Sequence, residues 1–279
     1  MYALEPRVHD AVFAFVEHLI PPPPSHPLGC HRRRIPNRIV FRALLIRLVT
    51  GATWEQIEFC LDRQVSDTTL RSRRDKWIAA GVFSQLIGHA MSAYQRVIGY
   101  DLTRVFIDGC NNDAIASNGT GFNPKHPGKH GWKFVIAVDD HGAPISFTIN
   151  SANRQDYPMM FDVLDDLHTR DKTRLIGTLH ADRGFNYDST PERLATHYGL
   201  HHFDAPPRRR PGQGRAKRCP TGPRWIVEST NSWIRSYGQI AHNTDRHSHH
   251  RHAALAFAIA LFLTHRITHP HHSTWRPIR

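Results

Sequence analysis

The chain has 279 residues, 40% of them hydrophobic, enough for one sizeable core and a smaller domain. Its 36 Lys and Arg outnumber 24 Asp and Glu, a formal charge of +12 that attracts polyanions, nucleic acid foremost. No apolar run reaches the roughly 18 residues that cross a bilayer, and no basic-then-apolar leader opens the chain, so the expectation is a cytoplasmic protein without a membrane partner.

The opening "ALEPRVHDAVFAFVEHLI" has apolar residues at helical spacing, and Pro21 to Pro24 stop that helix. Residues 1–36 are thus expected to form a helix and a Pro-rich linker. Three helices follow. The first ends at Gly51. Thr53 and Gln56 have capping-box spacing at the start of the second, and Ser66 is a good N-cap for the third. That third helix carries Arg71, Arg73, Arg74 and Lys76. Two short helices joined by a tight turn, the second rich in Arg, make a helix-turn-helix pattern, and these four cations are its candidate DNA contacts. Residues 37–99 are read as this helical domain, closed by a further amphipathic helix.

The texture then changes. "DLTRVFIDG", "GWKFVIAVDD" and "APISFTINS" are β-branched runs between Gly, Pro and Asp turns. An amphipathic helix, "DYPMMFDVLDDLHTR", precedes the strand "RLIGTLHAD"; a helix opening on Pro191 and a possible fifth strand, "LHHFD", follow. Three strands in succession, then alternating helix and strand, indicate a mixed sheet with helices on its faces. The order fits an RNase H-like core, as it fits other α/β sheets. The segment 206–224, "PPRRRPGQGRAKRCPTGPR", has almost no apolar residue and is a basic loop; "RWIVESTNSWIRSYGQI" resumes helical periodicity, and the last helix is mostly apolar. The four cysteines form no C-x-x-C pair, so reduced thiols are expected.

Asp108 and Asp182 both end apolar runs and precede turns, where α/β sheets build their sites. Glu228 lies on an amphipathic helix that can bring a third carboxylate to those strand ends. Such a trio suits Mg²⁺ or Mn²⁺, hard cations that take oxygen ligands. Two such ions about 3.5–4 Å apart can activate a water and stabilise the leaving oxygen of a phosphodiester.

Taken together, "PNRIVFRALLIRLVTGATWEQIE", "SDTTLRSRRDKW", "IDG", "GKHGWKFVIAVDDHGAPISF", "NRQDYPMM", "HADRGF" and "RWIVESTNSW" resemble the DDE-type bacterial insertion-sequence transposases, within them the insertion-sequence-five group. The resemblance spans nearly the whole chain. It implies an α/β fold, an RNase H-like mixed sheet flanked by helices, over residues 100–270, behind the N-terminal all-α domain. It implies an enzyme that binds terminal inverted repeats, cuts DNA ends with two Mg²⁺ or Mn²⁺ ions and joins the 3′-OH ends to target DNA. Double-stranded DNA, both transposon end and target, is the implied partner, bound by a homodimer in the nucleoid. Carried over by motif, Asp108, Asp182 and Glu228 match the metal-binding acids. The wider signature of Tyr, two residues, Arg, three residues, Glu, six residues, Lys is met by Arg224 and Glu228; Thr221 replaces the Tyr and Arg235 the Lys.

Arg224 and Arg235 are candidate DNA contacts, as are Arg208, Arg209 and Arg210 of the basic loop and Lys133 within a strand. Asp139 and Asp140 are expected to form a hairpin turn, Asp156 to cap a helix, and the His-rich tracts "HSHHRH" and "HPHH" to be basic surface. Two rival readings remain: a catalytically inactive, transposase-derived DNA-binding protein, and a metal-dependent nuclease without strand transfer.

Overall fold

The computed structural model describes residues 5–22, 34–208 and 223–269. Two compact units emerge, one of residues 1–98 with 234–279 and one of residues 99–233.

The first unit is helical: α1 (Pro6–Leu19), α2 (Asn37–Thr50), α3 (Trp54–Cys60), α4 (Asp67–Ala79) and α5 (Val82–Val97). Local chemistry sets the boundaries. Gly51 ends α2 in the left-handed conformation, φ +71°, and a Cβ there would meet the Gly238 backbone at 2.8 Å. Thr53 and Gln56 close a reciprocal capping box on α3, and the Ser66 hydroxyl accepts from Thr69 N–H to start α4. The last helix of the chain, Ser248–Thr268, packs against α5 and α1 and is buried along nearly all its length. The expected catalytic span of 100–270 includes this helix, yet its apolar surface completes the helical unit.

A buried ion network ties that unit together. Asp245 accepts from Arg47 at 3.2 Å, Arg74 at 2.9 Å and Gln239 at 2.8 Å, with its side chain 3% exposed. Arg47 and Arg74 also lie over the Trp54 ring, 4.5 and 5.0 Å from its centroid.

The second unit is built on a mixed sheet: β1 (Arg104–Ala114), β2 (Gly121–Phe122), β3 (His130–Val138), β4 (Pro144–Ser151), β5 (Thr178–Ala181) and β6 (Phe203–Asp204). The order is β4-β3-β1-β5-β6, with β2 paired to the first residues of β3. The β4–β3 and β3–β1 pairs are antiparallel, while β5 pairs parallel with β1 and β6 parallel with β5. This is the RNase H-like arrangement. Helices α6 (Asp156–Thr169), α7 (Thr190–Tyr198) and α8 (Trp225–Arg235) accompany it. On one sheet face Val105, Ile107, Val135 and Leu179 pack against Met159, Met160, Val163 and Leu164 of α6. Short α9 (Gly238–Ala241) then leads to α10, the Ser248–Thr268 helix. Among the described residues no helix is long and apolar enough to cross a membrane.

Two expectations are corrected here, and one element is added. Asp156 does not cap its helix: Gln155 holds the N-cap position, and the Asp156 carboxylate instead takes the Lys133 ammonium at 2.6 Å. "HSHHRH" is not surface throughout, since His250 and Arg251 are buried at the start of α10. The β1–β3 connection contains a two-residue strand that periodicity does not signal, being too short. The hairpin expectation holds for Asp139, whose Oδ1 accepts from the backbone N–H groups of His141 and Ala143; Asp140 pairs with Arg104.

Candidate active site

Strand register makes the first part of the site. Because Ile107 pairs with Ala181 across parallel β1 and β5, the residues that follow, Asp108 and Asp182, come side by side. Asp182 leaves β5 in an extended conformation, and its carboxylate accepts from Arg183 N–H at 2.6 Å to open a short 3-10 turn, Arg183–Phe185. So the residue is both a turn former and a carboxylate at the sheet edge.

Helix α8 supplies the rest. The Thr230 hydroxyl donates to Gly142 O at 2.8 Å, which ties α8 to the β3–β4 turn. Within that frame Arg224, Glu228 and Asn231 lie three and four residues apart, on one helical face. The Arg224 guanidinium sits among all three acids: Nη1 donates to Asp182 Oδ1 at 3.1 Å, Nη2 lies 3.5 Å from Glu228 Oε1 and 4.0 Å from Asp108 Oδ1. The Asn231 amide donates to the other Asp108 oxygen, Oδ2, at 3.2 Å, and its own Oδ1 is buried without a hydrogen-bond partner.

The acids differ in environment. The Asp108 side chain is 19% exposed, against 47% for Asp182 and 55% for Glu228. Burial pushes the Asp108 carboxyl up to about 6; the charges of Asp182 and Glu228 add to this, and Arg224 and the Gly109 N–H oppose it. A buried acid with two anionic neighbours favours any added cation. Among the described residues, no group of three His, Cys, Asp or Glu is arranged to hold a metal ion; the three acids surround a guanidinium instead.

The glycine of "IDG" has a packing reason. A Cβ on Gly109 would lie 2.9 Å from the Asp156 carboxylate carbon. On the α6 face the Asp156 carboxylate, held by Lys133, therefore occupies the space that a side chain at 109 would need. Two residues before the acids on β1 and β5, His180 stacks on Phe106 at 4.8 Å with its Nδ1 2.9 Å from Asp204 Oδ2.

The candidate DNA contacts are dispersed. Arg71, Lys76, Arg208 and Arg235 are exposed. Arg71 pairs with Asp67 at 3.2 Å, and Arg208 lies 3.7 Å over the Tyr187 ring. Arg73 is buried and donates to Ile35 O and Asn37 Oδ1, while Arg74 is engaged by Asp245 and Asp75. Lys133 is buried on Asp156. Arg209 and Arg210 lie outside the described residues, as do Thr221, Cys30, Cys219 and most of the basic loop. Asn231, the Lys133–Asp156 pair and the multiple bonding of Arg224 escaped the sequence reading. The spacing of Asn231 three residues after Glu228 was the one signal available.

Residues 104–263 match the family model described as "Transposase DDE domain", and residues 8–87 match that described as "Putative transposase of IS4/5 family". Over 130 residues the chain is 28% identical to the "Putative transposase for insertion sequence element IS402" of Burkholderia cepacia, an alignment covering 43% of this chain and 57% of that relative.

Proposed function

The chain belongs to the DDE transposases, and from that premise we propose that it cuts the ends of an insertion sequence and joins the freed 3′-OH to target DNA. Asp108, Asp182 and Glu228 are the acids of its cation site in this reading. The observation that carries it is the convergence of three carboxylates, from β1, the end of β5 and α8, around one point of positive charge. Three ionised carboxylates against one guanidinium leave two negative charges unmatched. An oxygen-only donor set with surplus negative charge suits Mg²⁺ or Mn²⁺, and the unpartnered Asn231 Oδ1 adds a further oxygen nearby. When bound, a pair of such ions supplies a polarised water or hydroxyl and stabilises the leaving oxygen of a phosphodiester.

The protein's own groups orient that chemistry. Asn231 fixes the rotation of the Asp108 carboxylate. Gly109 leaves Asp156 and Lys133 packed beneath it. The exposed Arg71, Lys76, Arg208 and Arg235 contact phosphates, as Arg224 does once it leaves the acids, so affinity falls steeply with salt. Arg73, Arg74 and Lys133, whose charges meet internal partners, support the fold in this reading. Pairing two ends calls for at least a dimer on DNA, acting in the cytoplasm at the nucleoid.

The test supplies purified protein with linear DNA bearing the terminal inverted repeats, a target plasmid and Mg²⁺ or Mn²⁺. Joined products that vanish in Asp182→Asn support strand transfer. Binding without cleavage in either metal supports a DNA-binding regulator, and cleavage without joining supports a nuclease.

A further inference from the structure

The position of Arg224 raises a separate question: what holds three carboxylates together before a divalent ion arrives? We infer that the Arg224 guanidinium is the internal cation of the site, assembling Asp108, Asp182 and Glu228 in advance and giving way to metal. This rests on the reading of the trio as a metal site, though not on the DNA chemistry.

The distances describe a cation that gathers the acids without gripping them. Only the contact to Asp182, at 3.1 Å, has hydrogen-bond length; those to Glu228 and Asp108, 3.5 and 4.0 Å, are Coulombic. None is the paired, bidentate fork that makes Arg–carboxylate bonds strong. The Arg224 side chain is 29% exposed, and Asp182 and Glu228 about half exposed, so an ion can enter from solvent. A unit charge satisfies one of three carboxylates, whereas a divalent ion adds charge the site lacks. Asn231 donates to Asp108 Oδ2, the oxygen that Arg224 does not face, at 3.2 Å. The displaced guanidinium stays one helical turn from Glu228, within reach of a phosphate bound at the acids. Arg224 is thus a positioning residue that acts through the carboxylates, and its removal should raise metal affinity while lowering activity on DNA.

The experiment is calorimetric titration of the whole DNA-free protein with Mn²⁺ at pH 7, for wild type, Arg224→Ala, Arg224→Lys and Asp182→Asn. Loss of a competing unit charge 3–4 Å from the acids should tighten Mn²⁺ binding about tenfold in Arg224→Ala. Arg224→Lys, which keeps the charge, should stay near wild type, and Asp182→Asn should bind more weakly. Equal or weaker binding by Arg224→Ala, with wild type binding and Asp182→Asn impaired, overturns the inference and leaves the metal site standing. No Mn²⁺ binding in any variant overturns both. Circular dichroism checks each fold; should Arg224→Ala unfold, Arg224→Gln takes its place with the same expected tightening.

Discussion

Replacing Asp245 by Ala removes the one carboxylate that two guanidiniums share. Arg47 and Asp245 have side chains 3% exposed, and Arg74 is 11% exposed. Arg47 would keep bonds to Ala52 O at 2.6 Å and the Thr244 hydroxyl at 3.1 Å, but these neutral acceptors leave its charge uncompensated. Gln239 would lose the acceptor of its amide. Breaking a buried pair from one side costs about 3–5 kcal/mol because the remaining charge stays out of water. At roughly 2–4 °C per kcal/mol for a chain of this size, melting should fall by on the order of 10 °C. Urea unfolding followed by circular dichroism measures the loss, and hydrogen exchange in α2 and α4 assigns it to the helical unit. Combining Asp245→Leu with Arg47→Met should cost less than the sum of the single changes, since no orphaned Arg47 remains. A loss below about 1 kcal/mol for Asp245→Ala would refute the reasoning.

The proposed DNA contacts can be sorted by salt dependence: Arg71→Ala and Lys76→Ala should each lower the slope of log affinity against log salt by about one, while Arg73→Ala should cost stability and leave the slope intact. Asn231→Ala should slow end cleavage about 10- to 100-fold, since the Asp108 carboxylate loses the hydrogen bond that orients it; unchanged cleavage would show that Asp108 needs no such support. Gly109→Ala should displace Asp156 from Lys133, costing about 1–3 kcal/mol and cleavage activity together. His250 gives a pH test. Burial, then the Arg74 charge, lowers its pKa from 6.5 to about 4, outweighing Asp75 at 3.0 Å and Asp245. Its folded value lies below its unfolded one, so stability is full above 6.5 and is lost as pH falls toward 4, by up to about 3 kcal/mol. Unfolding free energies from pH 7 to 4 should decline less steeply in His250→Gln; identical profiles would contradict the shift.

Much of this architecture is local chemistry, and so was readable in one dimension. Gly51, the Thr53–Gln56 box and Ser66 bound their helices through bonds within a few residues. The runs ending on Asp108 and Asp182 read as strands delivering carboxylates, because a short apolar run and a turn residue need no distant partner to be recognised. Glu228 came from motif, and its helical period was visible around it. What distance along the chain hides is the partner of each charge. Arg71, Arg73, Arg74 and Lys76 share one helix and look equivalent in sequence; only packing separates the exposed Arg71 and Lys76 from Arg73, buried on Asn37, and Arg74, held by Asp245. Nothing local shows that Lys133 and Asp156 are partners; β3 and α6 bring them together. A charged side chain reads as solvated unless a group 23 or 171 positions away neutralises it, and that is known only once the chain is folded. Sequence thus determined most of the elements and the net charge, and it singled out Asp108, Asp182 and Glu228 as candidate acids. Tertiary structure decided that the acids meet around Arg224, with the Asn231 amide donating to Asp108, because register and helix packing bring together groups that no local pattern links.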